Sequence, residues 1–155
     1  MAVLVGRELP RRLLRSLGGD VDKQHGKVIL VLTTDREGWP HVAMLSHWEV
    51  FARDVANIRI ATYASSRTTK NLLRTGKVTM VLADKGMAYY IKGTASPRAS
   101  PTQDSNRFFN VKVKMVMEDE LPGASITTGI RYTEERKVEP HRPIRRELEK
   151  PWRRC

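Results

Sequence analysis

The sequence predicts a small, mainly β protein, most simply a barrel whose end is closed by one short helix between its strands. Two observations predict it. Short stretches of strand character alternate with tight turns along most of the 155 residues, and a single helical segment interrupts them. Hydrophobic residues make up 40% of the chain and charged residues 29%, which fits one folded globular domain with its own core.

The first part of the chain predicts a helix and a hairpin. A short helix is expected over Glu8 to Leu17, because four leucines fall on one helical face and two glycines follow. The strand expected over Lys27 to Thr34 has a continuous apolar middle, which indicates that both faces are covered. A turn that contains Gly38 leads into a return strand over Pro40 to Phe51.

The middle of the chain predicts a strand, a helix and a second hairpin. The third strand is expected over Ile58 to Thr62, and the helix begins near Ser66. Two further strands, Lys77 to Ala83 and Met87 to Thr94, are joined by a tight turn.

The last part predicts a loop, two strands and a short helix. The loop covers Ser96 to Ser105. A strand with one buried face follows, since Phe109, Val111, Val113, Met115 and Met117 alternate with mostly polar residues. Another strand is expected over Ser125 to Tyr132, and a helix that starts at Pro143 runs through Lys150. We assign 1–133 to one domain, with its core over 27–133, and 134–155 to a charged, proline-containing arm.

The start of the middle helix predicts an anion site. Ser65 to Lys70 reads S-S-R-T-T-K, which places hydroxyls and cations beside the free backbone N–H groups of a helix N-terminus. Serine and threonine also cap helices without any ligand. A cationic first turn opposes the helix dipole unless an anion is present, which favours a phosphate ligand.

Composition excludes several other classes of function. The single cysteine, Cys155, rules out an internal disulfide and a cysteine-cluster metal site. His41 and His47 lie about 20 Å apart along an extended strand, too far for one metal ion. We assign no metal site and no catalytic residue. No apolar run is long enough to cross a membrane and no signal peptide is recognisable, so we expect a cytoplasmic protein with no membrane partner.

The net charge of +11 invites a nucleic-acid interpretation. Opposite charges alternate toward the C-terminus, however, as at Glu134 to Lys137, which is more typical of an ion-paired surface. A barrel that binds nucleic acid or another polyanion through its basic surface stays open as an alternative.

Two segments resemble the FMN-binding split-barrel family, which includes pyridoxamine 5′-phosphate oxidases and flavin reductases. Asp35 to Ser46, D-R-E-G-W-P-H-V-A-M-L-S, looks like the first hairpin of that family. Ser65 to Leu82, S-S-R-T-T-K-N-L-L-R-T-G-K-V-T-M-V-L, looks like its phosphate-binding segment and following strand. With the strand pattern, the resemblance covers roughly Lys27 to Met117, and it implies a split β-barrel, Greek-key-like, with short terminal helices.

The resemblance also implies FMN as the cofactor and a set of residues that bind it. One strand would line the flavin ring, a second strand its other side, and the helix start would hold the phosphate. Many members carry a lysine where Thr68 stands, so we expect Arg67 to replace that lysine. The implied cofactor-binding residues are Met44, Leu45, Ser46, Ala61, Thr62, Ser66, Arg67, Thr68, Lys70 and Asn71.

By this resemblance the protein would be a flavin-dependent oxidoreductase or flavin reductase that acts on a small-molecule redox substrate. It would form a homodimer with flavin at the interface, and the strand over Phe108 to Met117 would supply that surface. The chain ends E-K-P-W-R-R-C and lacks the family's substrate-phosphate segment, which argues against pyridoxamine phosphate oxidase activity itself. The same fold with a deazaflavin or a haem is a further alternative.

Overall fold

A computed structural model describes residues 1–98, 105–134 and 141–151 of the chain. The described residues form eight strands, three α-helices and one 3₁₀-helix over Val21–Gln24. The elements are β1 (Ala2–Gly6), α1 (Arg11–Gly18), β2 (Val28–Thr34), β3 (Pro40–Ser46), β4 (Val50–Ala52), β5 (Asn57–Tyr63), α2 (Arg67–Thr75), β6 (Lys77–Asp84), β7 (Met87–Pro97), β8 (Asn106–Asp119) and α3 (Arg142–Glu149).

The strands form one curled antiparallel sheet in the order β3-β2-β6-β7-β8-β5-β4, with β1 paired to β8. Helix α2 packs against β2 and β3 near one end of this order and against β5 near the other. It also contacts β7 in the middle of the order, so this one helix touches both halves of the curled sheet. The prediction of a mainly β split barrel is confirmed.

Two hydrophobic clusters hold the fold together. The main core fills the inside of the curled sheet and includes Leu13 and Leu17 of α1, both fully buried. The second cluster lies on the other face of β5 and β8, where Ala61 and Phe108 pack against α3. Each large apolar side chain buried in this way contributes roughly 1.5–3 kcal/mol.

The predicted return strand over Pro40 to Phe51 is wrong as one continuous strand. It breaks between β3 and β4, where the carboxylate of Glu49 accepts hydrogen bonds from the N–H (2.7 Å) and hydroxyl (2.9 Å) of Ser46. The break lets β3 pair with β2 while β4 pairs with β5. His41 lies within β3 whereas His47 lies in the break, so the two do not share one strand.

The predicted alternation in β8 is correct only in its first half. Phe109, Val111 and Val113 are buried, but Met115 is 36% exposed and Val116 is buried instead. The cause is an irregularity in the pairing with β7, where Lys92 faces Met115 and Gly93 faces Val113. One extra residue in a strand reverses the faces of all residues beyond it.

Two further predictions need correction. The sequence signals missed β1, which pairs with β8 although its Val3 and Leu4 are largely exposed. The segment over 125–132 does not form a strand. Its end lies beside the start of β2, with one isolated bridge from Lys27 to Arg131, while the carbonyl oxygen of Ile126 accepts a hydrogen bond from the N–H of Gly86 in the turn between β6 and β7.

The predicted C-terminal helix is confirmed as α3. It buries Ile144 and Leu148 against Phe108, so Phe108 is covered by its own chain and is not part of an open surface. Most of the predicted loop over Ser96 to Ser105 lies outside the described residues, as do 135–140 and 152–155. None of the helices in the described part of the chain is long and apolar enough to cross a membrane.

Candidate functional site

The first turn of α2 is built by a serine cap. Ser66 is the N-cap residue, and its side-chain oxygen accepts a hydrogen bond from the N–H of Thr69 at 3.1 Å. The helix ends at Gly76, which adopts the left-handed conformation (φ 63°) that a glycine tolerates best. The serine cap and the terminal glycine therefore set the two ends of this nine-residue helix.

A buried network of hydroxyls holds this turn against β5. The hydroxyl of Thr69 donates to the carbonyl oxygen of Tyr63 at 2.7 Å, and it lies 2.6 Å from the hydroxyl of Thr62. Thr69 was not among the predicted site residues, although it is 1% exposed and joins the cap to the strand. Thr62, which was predicted to line a flavin, uses its hydroxyl within this network.

The same turn keeps several polar groups without a protein partner. The N–H groups of Arg67 and Thr68 have no hydrogen-bond acceptor among the described residues, as expected for the first positions of a helix. The hydroxyl of Thr68 makes no hydrogen bond there either. The side chains of Arg67 and Lys70 are exposed, and the first turn contains no acidic residue. This donor set fits an anion, and a phosphate in particular.

Asn71 and Arg74 tie the rest of α2 to the first hairpin. The amide of Asn71 donates to the hydroxyl of Thr33 at 3.0 Å, and the guanidinium of Arg74 donates to the carbonyl oxygen of Thr34. Through this hydrogen bond Asn71 positions the middle of the helix against β2.

The end of β3 borders a cleft of about 460 Å³. Met44 is 67% exposed, Leu45 points into the core, and the polar groups of Ser46 are bonded to Glu49. The opposite wall is formed by the segment over 130–134. Val28, Ile130 and Leu45 make part of the lining apolar, which suits a planar organic ring.

Tyr132 is the polar residue of this wall that sequence reasoning missed. Burial raises the pKa of its phenol, and the nearby carboxylate of Glu134 acts in the same direction. The backbone holds it in place, since its N–H donates to the carbonyl oxygen of Gly26 at 2.8 Å. No signal in the sequence places Tyr132 beside β3, because the two approach each other only through the extended segment along β2.

The structure thus groups the predicted residues into three places. The first group lies at or near the start of α2 and consists of Thr62 of β5, the N-cap residue Ser66, and Arg67, Thr68, Lys70 and Asn71 of α2. The second group, Met44 and Ser46, lies farther along β3. His41 of β3 pairs with Thr33, the residue that Asn71 of α2 contacts. Met44 and Ser46 follow His41 by three and five residues, which is roughly 10 and 17 Å at about 3.3 Å per residue. Ala61 is buried against α3, and its N–H already donates to the carbonyl oxygen of Glu49 at 2.9 Å.

Comparison with known proteins places these features in context. The family model for pyridoxamine 5′-phosphate oxidase matches residues 23–146. The uncharacterized protein YclD of Bacillus subtilis strain 168 is 37% identical to this chain over 125 residues, which cover 77% of this chain and 80% of YclD.

Solved structures with the same fold are more distant in sequence. A Lactobacillus delbrueckii protein, provisionally assigned as a pyridoxamine 5′-phosphate oxidase, superimposes with a TM-score of 0.59 at 18% identity, covering 75% of this chain and 98% of that one. An FMN-binding protein from Syntrophomonas wolfei gives a TM-score of 0.54 at 16% identity and covers 72% and 88%. HupZ of Group A Streptococcus gives 0.56 at 13% identity and covers 81% and 100%.

Proposed function

The chain belongs to the pyridoxamine 5′-phosphate oxidase family, and from that membership we propose that it is an FMN-binding flavoprotein with oxidoreductase activity. The observation that carries the proposal is the first turn of α2. Two free N–H groups, an unpaired threonine hydroxyl and two exposed cations meet there without a carboxylate in the turn. The Syntrophomonas wolfei protein supports FMN as the ligand, since it shares the fold and is named as binding FMN.

In this proposal α2 holds the cofactor phosphate. The N–H groups of Arg67 and Thr68 donate to phosphate oxygens, while the guanidinium of Arg67 and the ammonium of Lys70 supply the opposite charge. The buried network around Thr69 keeps the turn rigid, so little conformational entropy is lost when the phosphate binds.

The flavin ring is proposed to lie at the cleft beside β3. Met44 and the backbone of Leu45 would line one side of the ring, and Tyr132 would line the wall across the cleft. Bound FMN supplies the hydride or electron transfer, and the protein supplies position and electrostatics. Glu49 accepts two hydrogen bonds from Ser46, so its role in this site is to position Ser46. We assign no residue as a general acid or base.

We further propose a homodimer, with its contact surface moved from the predicted β8 strand to β3. Phe108 is covered by α3, whereas Trp39, Val42 and Met44 are 68%, 52% and 67% exposed. β3 is also an end strand of the sheet order, and its outer edge pairs with no other strand among the described residues. An apolar edge strand of this kind calls for a covering partner.

Absorption spectroscopy of the purified protein tests the cofactor. We expect FMN to bind with a perturbed flavin spectrum, and to bind at least tenfold more weakly to the double variant Arg67→Ser/Lys70→Ser. The variant Arg146→Ser/Lys92→Ser removes the same charge from exposed positions elsewhere and serves as the control. Equal FMN affinity of the two variants would contradict the assigned site. Uptake of a deazaflavin or haem in place of FMN would contradict the cofactor.

Activity is tested with the loaded protein. We expect NADH or NADPH to bleach the flavin band under anaerobic conditions and oxygen to restore it. A folded, FMN-loaded protein that neither donor reduces would contradict the flavin reductase form of the proposal.

A further inference from the structure

A second cleft, of about 820 Å³, shares no lining residue with α2 or with the cleft beside the end of β3. It is formed by α1, the 3₁₀-helix and the turn between β6 and β7, and Met87 contributes apolar surface to it. Its charged lining consists of Arg11, Arg12, Arg15, Lys23 and Lys27 against Asp20 and Asp84. The cleft thus carries a formal excess of three positive charges.

Two of the cations are fixed in the wall of the cleft. Arg12 donates from both terminal nitrogens, to the carbonyl oxygens of Gly86 and Lys85, at 2.9 Å each. Lys27 donates to the carboxylate of Asp84 at 2.6 Å and to the side chain of Gln24 at 3.0 Å. Burial alone would raise the pKa of Asp84, but the hydrogen bonds from Lys27 and from the N–H of Lys85 bring it below its usual value.

The remaining three cations have no such partners. Arg11, Arg15 and Lys23 are exposed and form no ion pair among the described residues. Arg11 and Arg15 lie four residues apart on α1, where like charges destabilise a helix by about 0.2–0.5 kcal/mol. The first turn of α1 also lacks an acidic residue. Asp20 is occupied in capping the 3₁₀-helix, since it accepts the N–H of Asp22 at 3.0 Å.

We propose that this cleft binds a small polyanion that carries two or more phosphate groups. Guanidinium groups match phosphate oxygens in pairs, and three unpaired cations around one concavity match a compact ligand with several negative charges. Bound phosphate relieves the repulsion between Arg11 and Arg15. The concave shape and the two carboxylates in its lining favour a compact ligand over a nucleic-acid strand, which would bring its phosphates past both. No residue of this site belongs to the proposed FMN site, so the two proposals are tested independently of each other.

Isothermal titration with tripolyphosphate at low salt tests the proposal. We expect Arg11→Ser/Arg15→Ser to weaken binding at least tenfold, and Lys23→Ser to weaken it severalfold. The control Arg36→Ser/Arg146→Ser removes two exposed arginines elsewhere and should stay within twofold of the unmodified protein. All substituted side chains are exposed, and removing Arg11 and Arg15 takes away a repulsion, so folding is preserved.

Three results would overturn the proposal. The first is a Kd for Arg11→Ser/Arg15→Ser within twofold of the control. The second is loss of tripolyphosphate binding in Arg67→Ser/Lys70→Ser, which would assign the probe to α2. The third is a single-stranded oligonucleotide that binds more tightly than tripolyphosphate at 150 mM salt and depends on Arg11 and Arg15, which would assign the cleft to nucleic acid.

Discussion

The guanidinium of Arg145 donates to the carbonyl oxygen of His47 at 2.9 Å, although Arg145 and His47 lie 98 positions apart in the chain. It also donates to the carbonyl oxygen of Val50 at 2.8 Å and lies 4.7 Å above the ring centre of Phe51. A side chain of α3 therefore supplies hydrogen-bond donors to backbone carbonyl oxygens at the break between β3 and β4. This is the break that lets β3 pair with β2 while β4 pairs with β5.

Replacing Arg145 should destabilise the whole domain. Arg145→Met keeps the side-chain length but leaves the carbonyl oxygens of His47 and Val50 buried without donors, for an expected loss of about 2–4 kcal/mol. Urea unfolding followed by circular dichroism measures it. The neighbouring Arg146 is exposed, and Arg146→Met should change stability by no more than about 0.5 kcal/mol. Equal stability of the two variants would show that α3 is not anchored through Arg145.

His47 should make stability depend on pH. Burial, with help from the charges of Lys27 and Arg145, lowers its pKa from 6.5 to about 4. The unfolded chain therefore binds a proton between these values that the folded protein does not bind. Stability rises with pH through this window, and about 3 kcal/mol present above pH 6.5 is lost as the pH falls to 4. Unfolding free energies measured from pH 4 to 8 should show this slope, and His47→Gln should reduce it. An unchanged slope in His47→Gln would contradict the assignment.

Thr69 should matter more than its size suggests. Thr69→Val preserves shape but removes the hydroxyl that bonds the carbonyl oxygen of Tyr63 and meets the hydroxyl of Thr62, at an expected cost of about 1–3 kcal/mol. Thr94 is exposed on β7, so Thr94→Val is a matched control with little expected effect. Thermal unfolding of both variants measures the difference, and an unaffected Thr69→Val would remove the argument for a rigid turn.

Gly129 should be essential for the wall that carries Tyr132. A Cβ at this position would lie 1.9 Å from the carbonyl oxygen of Ala83, a backbone atom that has no room to move. We expect Gly129→Ala to detach the extended segment, which would raise amide exchange at Val28 and Tyr132 and weaken FMN binding. Gly6→Ala meets nothing within 4 Å and serves as the control. Protected amides at both positions in Gly129→Ala would contradict this contact.

Local signals in the sequence predict the parts of the fold that depend on near neighbours. The first hairpin is predictable because Asp35 accepts hydrogen bonds from Glu37 and Trp39 and because Gly38 adopts a φ of 90°. Helix α2 is predictable from Ser66 at its start and Gly76 at its end. Each of these signals acts over at most a few residues.

The missed features depend on contacts that are distant in sequence. The reversal of faces in β8 follows from its pairing with β7 near Gly93, where a Cβ would lie 2.5 Å from Val111. The break after Ser46 is stabilised partly by Arg145, from the far end of the chain. Arginine is usually a surface residue, so the burial of Arg145 could not be predicted from the sequence pattern alone.

The residues of the candidate site also differ in whether local sequence signals or distant contacts bring them together. The residues that we propose to bind phosphate are contiguous at the start of one helix, and the sequence alone indicates them. Tyr132 joins the cleft only through the bridge between Arg131 and Lys27, which no period or motif predicts. Ala61 was predicted to line the flavin from the family resemblance, and no local signal in the sequence shows that α3 covers its side chain.

The most direct measurement of the central claim compares the affinities of FMN and riboflavin, which differ only by the phosphate. We predict that the unmodified protein binds FMN at least a hundredfold more tightly than riboflavin. In Arg67→Ser/Lys70→Ser this preference should fall at least tenfold while riboflavin affinity stays the same, because only the phosphate contacts are lost. A preference for FMN that survives the double substitution would contradict the assignment of the phosphate to the first turn of α2.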